Sequence, residues 1–175
     1  KAALEVNEQE LKKNYAHIEQ LAYHDGLTGL YNRVAFMKYS YDIFHDASVS
    51  AGKHAIFFID LDNFKNINDT LGHDYGDLLL QEVSEKMLAC ISKDDILARN
   101  GGDEFLIACS VGTEGEISAW MDDLIHTIEY AGYTIAYGIE YRLHDLDLED
   151  MVNKADAKML KNKADYYKIH DRRQR

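Results

Sequence analysis

The feature that most constrains this 175-residue chain is a glycine-rich acidic turn between two apolar runs. Residues 96–98 and 105–108 are apolar, and between them lies Arg99-Asn100-Gly101-Gly102-Asp103-Glu104. Asn-Gly and Gly-Gly pairs tolerate the positive φ angles of tight turns, so the pattern predicts a β-hairpin. Asp103 and Glu104 place carboxylates where bare glycine backbone admits a bulky ligand, such as a phosphate chain with its metal ion. The alternative is a solvated turn that is merely acidic.

A second acidic strand end lies upstream. Residues 55–59 form a continuous apolar run, typical of a strand buried on both faces, and the run ends in Asp60-Leu61-Asp62. A buried carboxylate is costly unless it is paired. If this strand lies beside the hairpin, Asp60, Asp103 and Glu104 would converge on one Mg²⁺, which commonly bridges carboxylates to substrate phosphates. The two segments together predict phosphoryl-transfer chemistry.

Length and charge limit the number of domains and the kinds of partner that this chain can have. The length suits one domain with a short appendage, and there is no long apolar stretch or signal-peptide pattern. A net charge of −12 argues against nucleic acid as a partner and against direct contact with an anionic membrane. Cys90 and Cys109 both lie in apolar contexts, which suggests reduced thiols in a cytoplasmic protein. That protein could be soluble or the cytoplasmic part of a larger sensor.

Residues 1–23 are charged and favour a helix. Apolar side chains recur at heptad-like positions: Leu4, Leu11, Ile18, Tyr15 and Ala22. This spacing predicts the end of a coiled coil. Because the pattern is already under way at Lys1, we expect the tail of a longer signalling helix whose sensor domain is missing from this sequence. The alternative is an amphipathic helix packed on its own domain.

The rest of the chain, residues 24–175, predicts one domain. A turn-rich bridge spans residues 25–33, and apolar periodicity then predicts helices over residues 36–44, 75–91, 117–128 and 148–159, with a shorter one over 63–70. Strands are predicted over residues 133–141 and, at the end of the chain, 166–169.

Five motifs carry a resemblance to a known family. They are Asp25-Gly-Leu-Thr-Gly-Leu-Tyr-Asn-Arg33, Asp60-Leu-Asp-Asn-Phe-Lys-Asn-Ile-Asn-Asp69, Gly72-His-Asp-Tyr-Gly-Asp77, Gly101-Gly-Asp-Glu-Phe105 and Ala155-Asp156. In this order and spacing they resemble the GGDEF family of diguanylate cyclases from about residue 25 to residue 163. The resemblance implies an α+β fold, a ferredoxin-like, palm-type and mostly antiparallel sheet flanked by helices, with an N-terminal signalling helix.

The same resemblance implies a reaction. Two GTP molecules condense into cyclic di-GMP with loss of two pyrophosphates, each subunit of a homodimer holding one GTP. Mg²⁺, for which Mn²⁺ can substitute, would be held by Asp60, the Leu61 carbonyl and Asp103. Glu104 would assist in binding the metal or deprotonate the attacking hydroxyl, so Asp103 and Glu104 are the candidate catalytic residues.

The resemblance also implies a set of substrate contacts. Asn68 and Asp77 would read guanine with His73 lining the same site, and a carboxylate and an amide do complement the donors and acceptor of the guanine edge. The phosphates would lie against Phe64, Lys65, Gly101, Gly102 and Lys163. Plainer roles for two of these residues are helix capping by Asp77 and a favourable helix-dipole charge for Lys163.

Two departures from the family pattern stand out. Tyr167 occupies the place of a second phosphate-binding arginine, for which Lys161 or Lys168 would have to substitute. Ser92 occupies the place of the arginine that begins the family's Arg-x-x-Asp product-binding motif, whereas Asp95 keeps the acidic position. A catalytically weak or inactive module that binds GTP or cyclic di-GMP is therefore the alternative function.

Overall fold

The structure, a computed structural model, describes residues 2–45, 53–111, 113–142 and 147–171. Lys1 in the predicted N-terminal helix and residues 172–175 at the end of the predicted domain lie outside this part. The helices are α1 (Ala2–Tyr23), α2 (Arg33–His45), α3 (Phe64–Leu71), α4 (His73–Cys90), α5 (Glu114–Tyr130) and α6 (Leu148–Asp171). The strands are β1 (Tyr31–Asn32), β2 (Lys53–Leu61), β3 (Ile96–Gly101), β4 (Glu104–Val111) and β5 (Ile135–Tyr141).

The strands form one sheet in the order β1-β3-β4-β2-β5. The short β1 runs parallel to β3, and the other neighbours are antiparallel. Because β2 lies at the centre between β4 and β5, both of its faces are covered, and Ile56, Phe57, Phe58 and Ile59 are all buried. This burial explains why the strand reads as a continuous apolar run rather than as an alternating one.

Helices cover both faces of the sheet. On one face, Phe57 and Ile59 pack with apolar side chains of α4 and α5, including Leu80 and Leu124. On the other face, Ile56 and Phe58 pack in a second cluster formed with α2 and α6. The α+β fold therefore has a helix layer on each side, and the ends of β2 and of the β3–β4 hairpin meet at one edge between the two layers.

The hairpin carries a bulge next to its turn. Arg99 pairs with Phe105 and Gly101 pairs with Glu104, which leaves Asn100 as the extra residue. Gly101 and Gly102 have φ angles of 146° and 55°, which side chains of L-residues rarely allow. The predicted glycine turn is therefore present, together with a bulge that the sequence pattern did not predict.

One local prediction was wrong and another was incomplete. The predicted strand over residues 166–169 is part of α6, which continues to Asp171. The bridge over residues 25–33 contains β1, whose two residues are too few to show a periodicity. The continuation of α6 matters for the site, because residues 163 and 167 then lie one helical turn apart on the same face.

The N-terminal helix contacts the domain near its C-terminal end. There the Tyr23 ring lies 6.0 Å from that of Tyr39, and Asn32 donates a hydrogen bond to the Ala22 carbonyl (2.9 Å). Farther along the helix, Leu11 and Ile18 are 54% and 61% exposed. In the part of the chain that the structure describes, no helix combines the length and apolar character needed to cross a membrane.

Candidate functional site

The two acidic segments meet as the sequence predicted. Asp60 lies opposite Glu104 in the β2–β4 ladder, and the Leu61 N–H donates to the Asp103 carbonyl across 3.2 Å. The adjacency follows from the central position of β2. It brings the end of a buried strand against the glycine turn, so two acidic segments separated by about forty residues form one surface.

A pocket of about 360 Å³ opens beside this junction. Its lining combines carboxylates, ammonium groups, amides and aromatic rings: Leu61, Asn63, Phe64, Lys65, Asn66, Asp69, Asp103, Lys163 and Tyr167. The loop after β2, the start of α3 and the last turns of α6 contribute most of these residues. Of the residues predicted to contact phosphate, the pocket thus contains Phe64, Lys65 and Lys163.

Lys163 forms an ion pair with Asp60, which is only 8% exposed. Partial burial disfavours the charged ammonium, but the hydrogen bond and the charge of Asp60 outweigh this effect and raise the pKa of Lys163. The lysine therefore remains a cation at the pocket floor. It balances one of the carboxylates there and provides a positive charge for an anionic ligand.

The other carboxylates at the pocket are less well compensated. Burial, and then the charge of Asp60, raise the pKa of Asp103. Burial raises the pKa of Asp62 in the same way, and one oxygen of Asp62 is buried without a hydrogen-bond partner. A cation would relieve this accumulation of negative charge.

The predicted metal ligands stay a prediction. Within the described residues, no three His, Cys, Asp or Glu side chains are grouped closely enough to hold an ion. The Glu104 carboxylate, expected beside the other two, instead accepts a hydrogen bond from the Asn100 side chain (2.7 Å). The donor chemistry nevertheless fits Mg²⁺, which usually binds one or two protein carboxylates together with substrate phosphates and water. Asp60, Asp103 and the Leu61 carbonyl are the residues that would hold it.

The predicted guanine-reading residues lie on α3 and α4. The Asn68 Oδ1 atom is buried without a hydrogen-bond partner. A Cβ atom on Gly76 would overlap that oxygen and lie 2.9 Å from Asn68 Cγ, so the glycine makes room for the amide. Asp77 is the next residue, and both it and His73 are exposed. The unpaired acceptor of Asn68 suits a ligand that carries N–H donors.

At the position of the expected arginine, Tyr167 lines the pocket. Burial and the charge of Asp62 raise the pKa of its hydroxyl, which remains a neutral hydrogen-bond donor at physiological pH. The suggested replacements do not lie there. Lys161 is exposed and absent from the pocket lining, and Lys168 pairs with Asp165 on the outside of the helix.

The joint between α1 and the domain is connected to the glycine turn. Arg99 donates to Asp25 (3.0 and 3.2 Å) and, through two other N–H groups, to the Gly102 carbonyl (3.0 and 2.8 Å). From the sequence alone, Arg99 has no predicted role, and Asn100 has only a place in the predicted turn. The only available signal was their place immediately before the glycine pair.

The pocket at the end of the central strand, lined by two carboxylates and two ammonium groups, belongs to an α+β domain with a mostly antiparallel sheet between two helix layers. A family model described as "Diguanylate cyclase, GGDEF domain" matches residues 22–167. The chain therefore belongs to the GGDEF-domain family of diguanylate cyclases.

Sequence similarity to individual proteins supports this family assignment. The diguanylate cyclase DgcP of Escherichia coli is 38% identical over 141 residues, covering 81% of this chain and 38% of DgcP. The cyclic di-GMP phosphodiesterase NbdA of Pseudomonas aeruginosa is 39% identical over 107 residues, covering 61% of this chain and 14% of NbdA. The chain thus spans less than two fifths of either protein.

A solved structure confirms the fold class. The coiled coil and GGDEF domain of DgcB from Caulobacter crescentus, in complex with c-di-GMP, superposes with a TM-score of 0.84 at 21% identity. The match covers 93% of this chain and 92% of that chain. The palm-type α+β architecture, including its N-terminal helix, is therefore shared with a known protein.

Proposed function

We propose that this chain is the catalytic module of a diguanylate cyclase, which condenses two GTP molecules into cyclic di-GMP and two pyrophosphates. The observation that carries the proposal is the pocket lined by Asp103 and Lys163, in which Lys163 pairs with Asp60 at the end of β2, opposite the hairpin. This arrangement combines the two charges that phosphoryl transfer needs. Carboxylates can hold a cation, and an ammonium group can face the phosphates.

The reaction needs no protein nucleophile. The ribose 3′-hydroxyl of each GTP attacks the α-phosphorus of the other. In each of these two steps the bond from that phosphorus to the bridging oxygen breaks, and one pyrophosphate leaves with the electron pair. A divalent cation bound by Asp60, Asp103 and the Leu61 carbonyl would neutralise charge that develops on the phosphates. Lys163 would bind the phosphates, and Glu104 would support cation binding or accept the hydroxyl proton. Such catalysis depends mainly on positioning and charge.

Asn68 and Asp77 are proposed to select guanine. The unpaired Asn68 oxygen would accept a hydrogen bond from a guanine N–H group, and the Asp77 carboxylate would accept another. Adenine presents an unprotonated N1 to the same carboxylate. Asp77 is exposed in the free protein, and once a bound base covers it such a mismatch costs about 1 to 3 kcal/mol. GTP should therefore be preferred to ATP.

A homodimer completes the proposal. Each pocket holds one GTP, so two pockets must face each other before one nucleotide can attack the other. The exposed apolar side chains Leu11 and Ile18 of α1 support a coiled coil as the means of pairing. We assign residues 1–23 to this helix and residues 24–175 to the catalytic domain.

The test is to incubate the purified protein with GTP and Mg²⁺ and to identify cyclic di-GMP by mass. Asp103→Asn should reduce product formation at least about 100-fold, because it removes a charged ligand of the divalent cation that stabilises the transferred phosphate. Asp123→Asn removes an exposed carboxylate of α5 and should leave the rate unchanged. Equal rates in wild type and Asp103→Asn would contradict the assignment of the site.

A binding module without catalysis is the second candidate. It is favoured by Tyr167, which gives the pocket a neutral hydroxyl where the family has an arginine. Guanidinium groups bind phosphate through two parallel, charge-assisted hydrogen bonds that a phenol cannot reproduce. If wild type binds GTP and forms no product at any enzyme concentration, this second function is the correct one.

A further inference from the structure

Asn100 is the bulged residue beside the glycine turn. Because Arg99 pairs with Phe105 and Gly101 with Glu104, Asn100 has no partner in the β3–β4 ladder. Bulges next to active sites commonly redirect a side chain. Here the redirected group is a primary amide, which offers both a donor and an acceptor.

The nitrogen and the oxygen of this amide each form a hydrogen bond. Its Nδ2 atom donates to Glu104 Oε2 across 2.7 Å, and its Oδ1 atom accepts from Arg33 Nη1 across 2.9 Å. Arg33 in turn donates to Glu149, at the start of α6, across 2.7 Å. A continuous chain of hydrogen bonds therefore runs from the first residue of α2 through Asn100 to a carboxylate at the edge of the candidate site.

The order of donors and acceptors fixes the orientation of the amide. Arg33 has N–H donors only, so it can bind only the oxygen of the Asn100 amide. The amide nitrogen is thereby directed to Glu104, and one oxygen of that carboxylate is fixed while the other remains available. Aspartate, which only accepts, and leucine, which has no polar group, could not connect a guanidinium to a carboxylate in this way.

We infer that Asn100 is a positioning residue that sets the orientation of the Glu104 carboxylate, with Arg33 fixing the orientation of Asn100. This inference rests on the proposed function and deepens it by assigning the support of one catalytic group. Groups that orient a metal-binding or catalytic carboxylate typically change metal affinity or activity by about 10- to 100-fold when they are removed. Neither Asn100 nor Glu104 lines the pocket, and the effect of Asn100 passes through its hydrogen bond to Glu104, which is next to the pocket residue Asp103.

The test is a double-mutant cycle between Asn100→Leu and Glu104→Gln. Asn100→Leu keeps a similar volume but removes both hydrogen bonds. It should lower kcat about tenfold or more while leaving KM for GTP within about twofold, since the nucleotide contacts are intact. Asn153→Leu, the same change on the exposed side of α6, is the matched control and should behave as wild type.

Binding gives a readout that does not depend on turnover. The affinity for Mn²⁺ can be measured by electron paramagnetic resonance with a GTP analogue that carries a methylene group between the α- and β-phosphates. Asn100→Leu should weaken Mn²⁺ binding in the wild-type background and have no further effect in the Glu104→Gln background. Equal weakening in both backgrounds would show a general structural role and overturn the inference.

The two proposals can fail separately. Absence of cyclic di-GMP from the wild-type protein would contradict the proposed function, whereas the Mn²⁺ cycle would still test Asn100. Normal or increased kcat in Asn100→Leu, with normal product formation by wild type, would overturn the positioning role and leave the proposed function in place.

Discussion

Arg99 joins two parts of the chain that lie far apart in sequence. Its guanidinium group connects Asp25, just after α1, to the carbonyl of Gly102 in the glycine turn. Asp25 also accepts hydrogen bonds from the backbone and the hydroxyl of Thr28. Burial disfavours the Asp25 carboxylate, but these hydrogen bonds and the charge of Arg99 outweigh it and lower the pKa.

Asp25→Asn should therefore reduce stability in a pH-dependent way. The folded-state pKa lies below the usual value of 3.8, so the stabilisation by the carboxylate is complete above that pH. The stabilisation is lost as the pH falls through the folded-state pKa. We expect the substitution to lower the free energy of unfolding by about 1 to 3 kcal/mol at pH 7 and by less at pH 3. Urea denaturation at both pH values measures the difference. An equal decrease in the free energy of unfolding at pH 7 and pH 3 would show that the charge of Asp25 is not involved.

Gly76 supplies a second prediction at the scale of one residue. In Gly76→Ala the new Cβ would overlap the Asn68 amide, which must then leave its buried position. KM for GTP should rise about tenfold, the cost of roughly one hydrogen bond, while kcat changes less. Gly115→Ala is the control, because the nearest atom to its Cβ would be Thr113 Oγ1, 4.0 Å away. An unchanged KM in Gly76→Ala would contradict the guanine-reading role of Asn68.

Residue types indicated which segments form the site better than they indicated its contacts. Carboxylates at the ends of two apolar runs marked the segments of Asp60 and Asp103, and the metal site was predicted on the condition that the two strands are neighbours, as they are. The partner of Glu104 could not be predicted, because it depends on the bulge at Asn100, and a single extra residue in a strand leaves no periodicity to detect.

Among the elements, α1 differs from the others in how little of it is buried. Its side chains from residue 8 to residue 22 are exposed, whereas the remaining helices each contribute to the packing of the sheet or of a neighbouring helix. Leu11, Ile18 and Tyr15 are exposed to solvent, and in a monomer the exposure of this apolar surface is unfavourable in free energy. We propose that these side chains are buried against α1 of a second copy of the chain.

Replacing Leu11 and Ile18 together by Ser should separate the dimer without disturbing the domain. Both side chains are more than half exposed, so thermal stability of the domain should change little. Specific activity at micromolar enzyme should fall at least about tenfold and should rise steeply with protein concentration, because the effective concentration of the paired sites is lost. Sedimentation and initial rates measure both effects.

Lys12→Ser with Glu19→Ser changes two polar positions on the same helix and serves as control. If the Leu11/Ile18 variant remains a dimer with full activity, α1 does not pair the subunits.

The last helix shows why element boundaries were harder to predict than element types. Apolar periodicity defined α6 through Met159, but the following turns are rich in lysine and tyrosine and face solvent on most sides. The tyrosines at 166 and 167 favoured a strand by propensity alone. In the structure they extend α6, and this extension brings Tyr167 to the pocket one turn after Lys163.

At the scale of the whole molecule, we expect product to accumulate without feedback inhibition. Ser92 cannot form the charged bidentate contacts of an arginine, and its N–H binds the Asp95 carboxylate within the same turn (2.8 Å). Loss of such a contact costs about 1.5 to 3 kcal/mol, so the inhibitory site should be about ten- to hundredfold weaker.

Initial rates in the presence of added cyclic di-GMP test this expectation. About 10 μM product should leave the wild-type rate nearly unchanged, and Ser92→Arg should gain inhibition. Submicromolar, non-competitive inhibition of wild type would show that another basic group binds the product.

The shape of α1 also has a mechanical consequence. Its 22 residues extend about 33 Å, and the hydrogen bond from Asn32 to Ala22 and the Tyr23–Tyr39 contact both lie at its C-terminal end. If α1 moved as a rigid body, it would therefore rotate about its C-terminal end, where these contacts lie. A displacement of about 6 Å at the far end corresponds to a rotation of only about 10° about the C-terminal end. Asp25 lies two residues beyond α1, so such a rotation would act directly on the Arg99 link to the glycine turn.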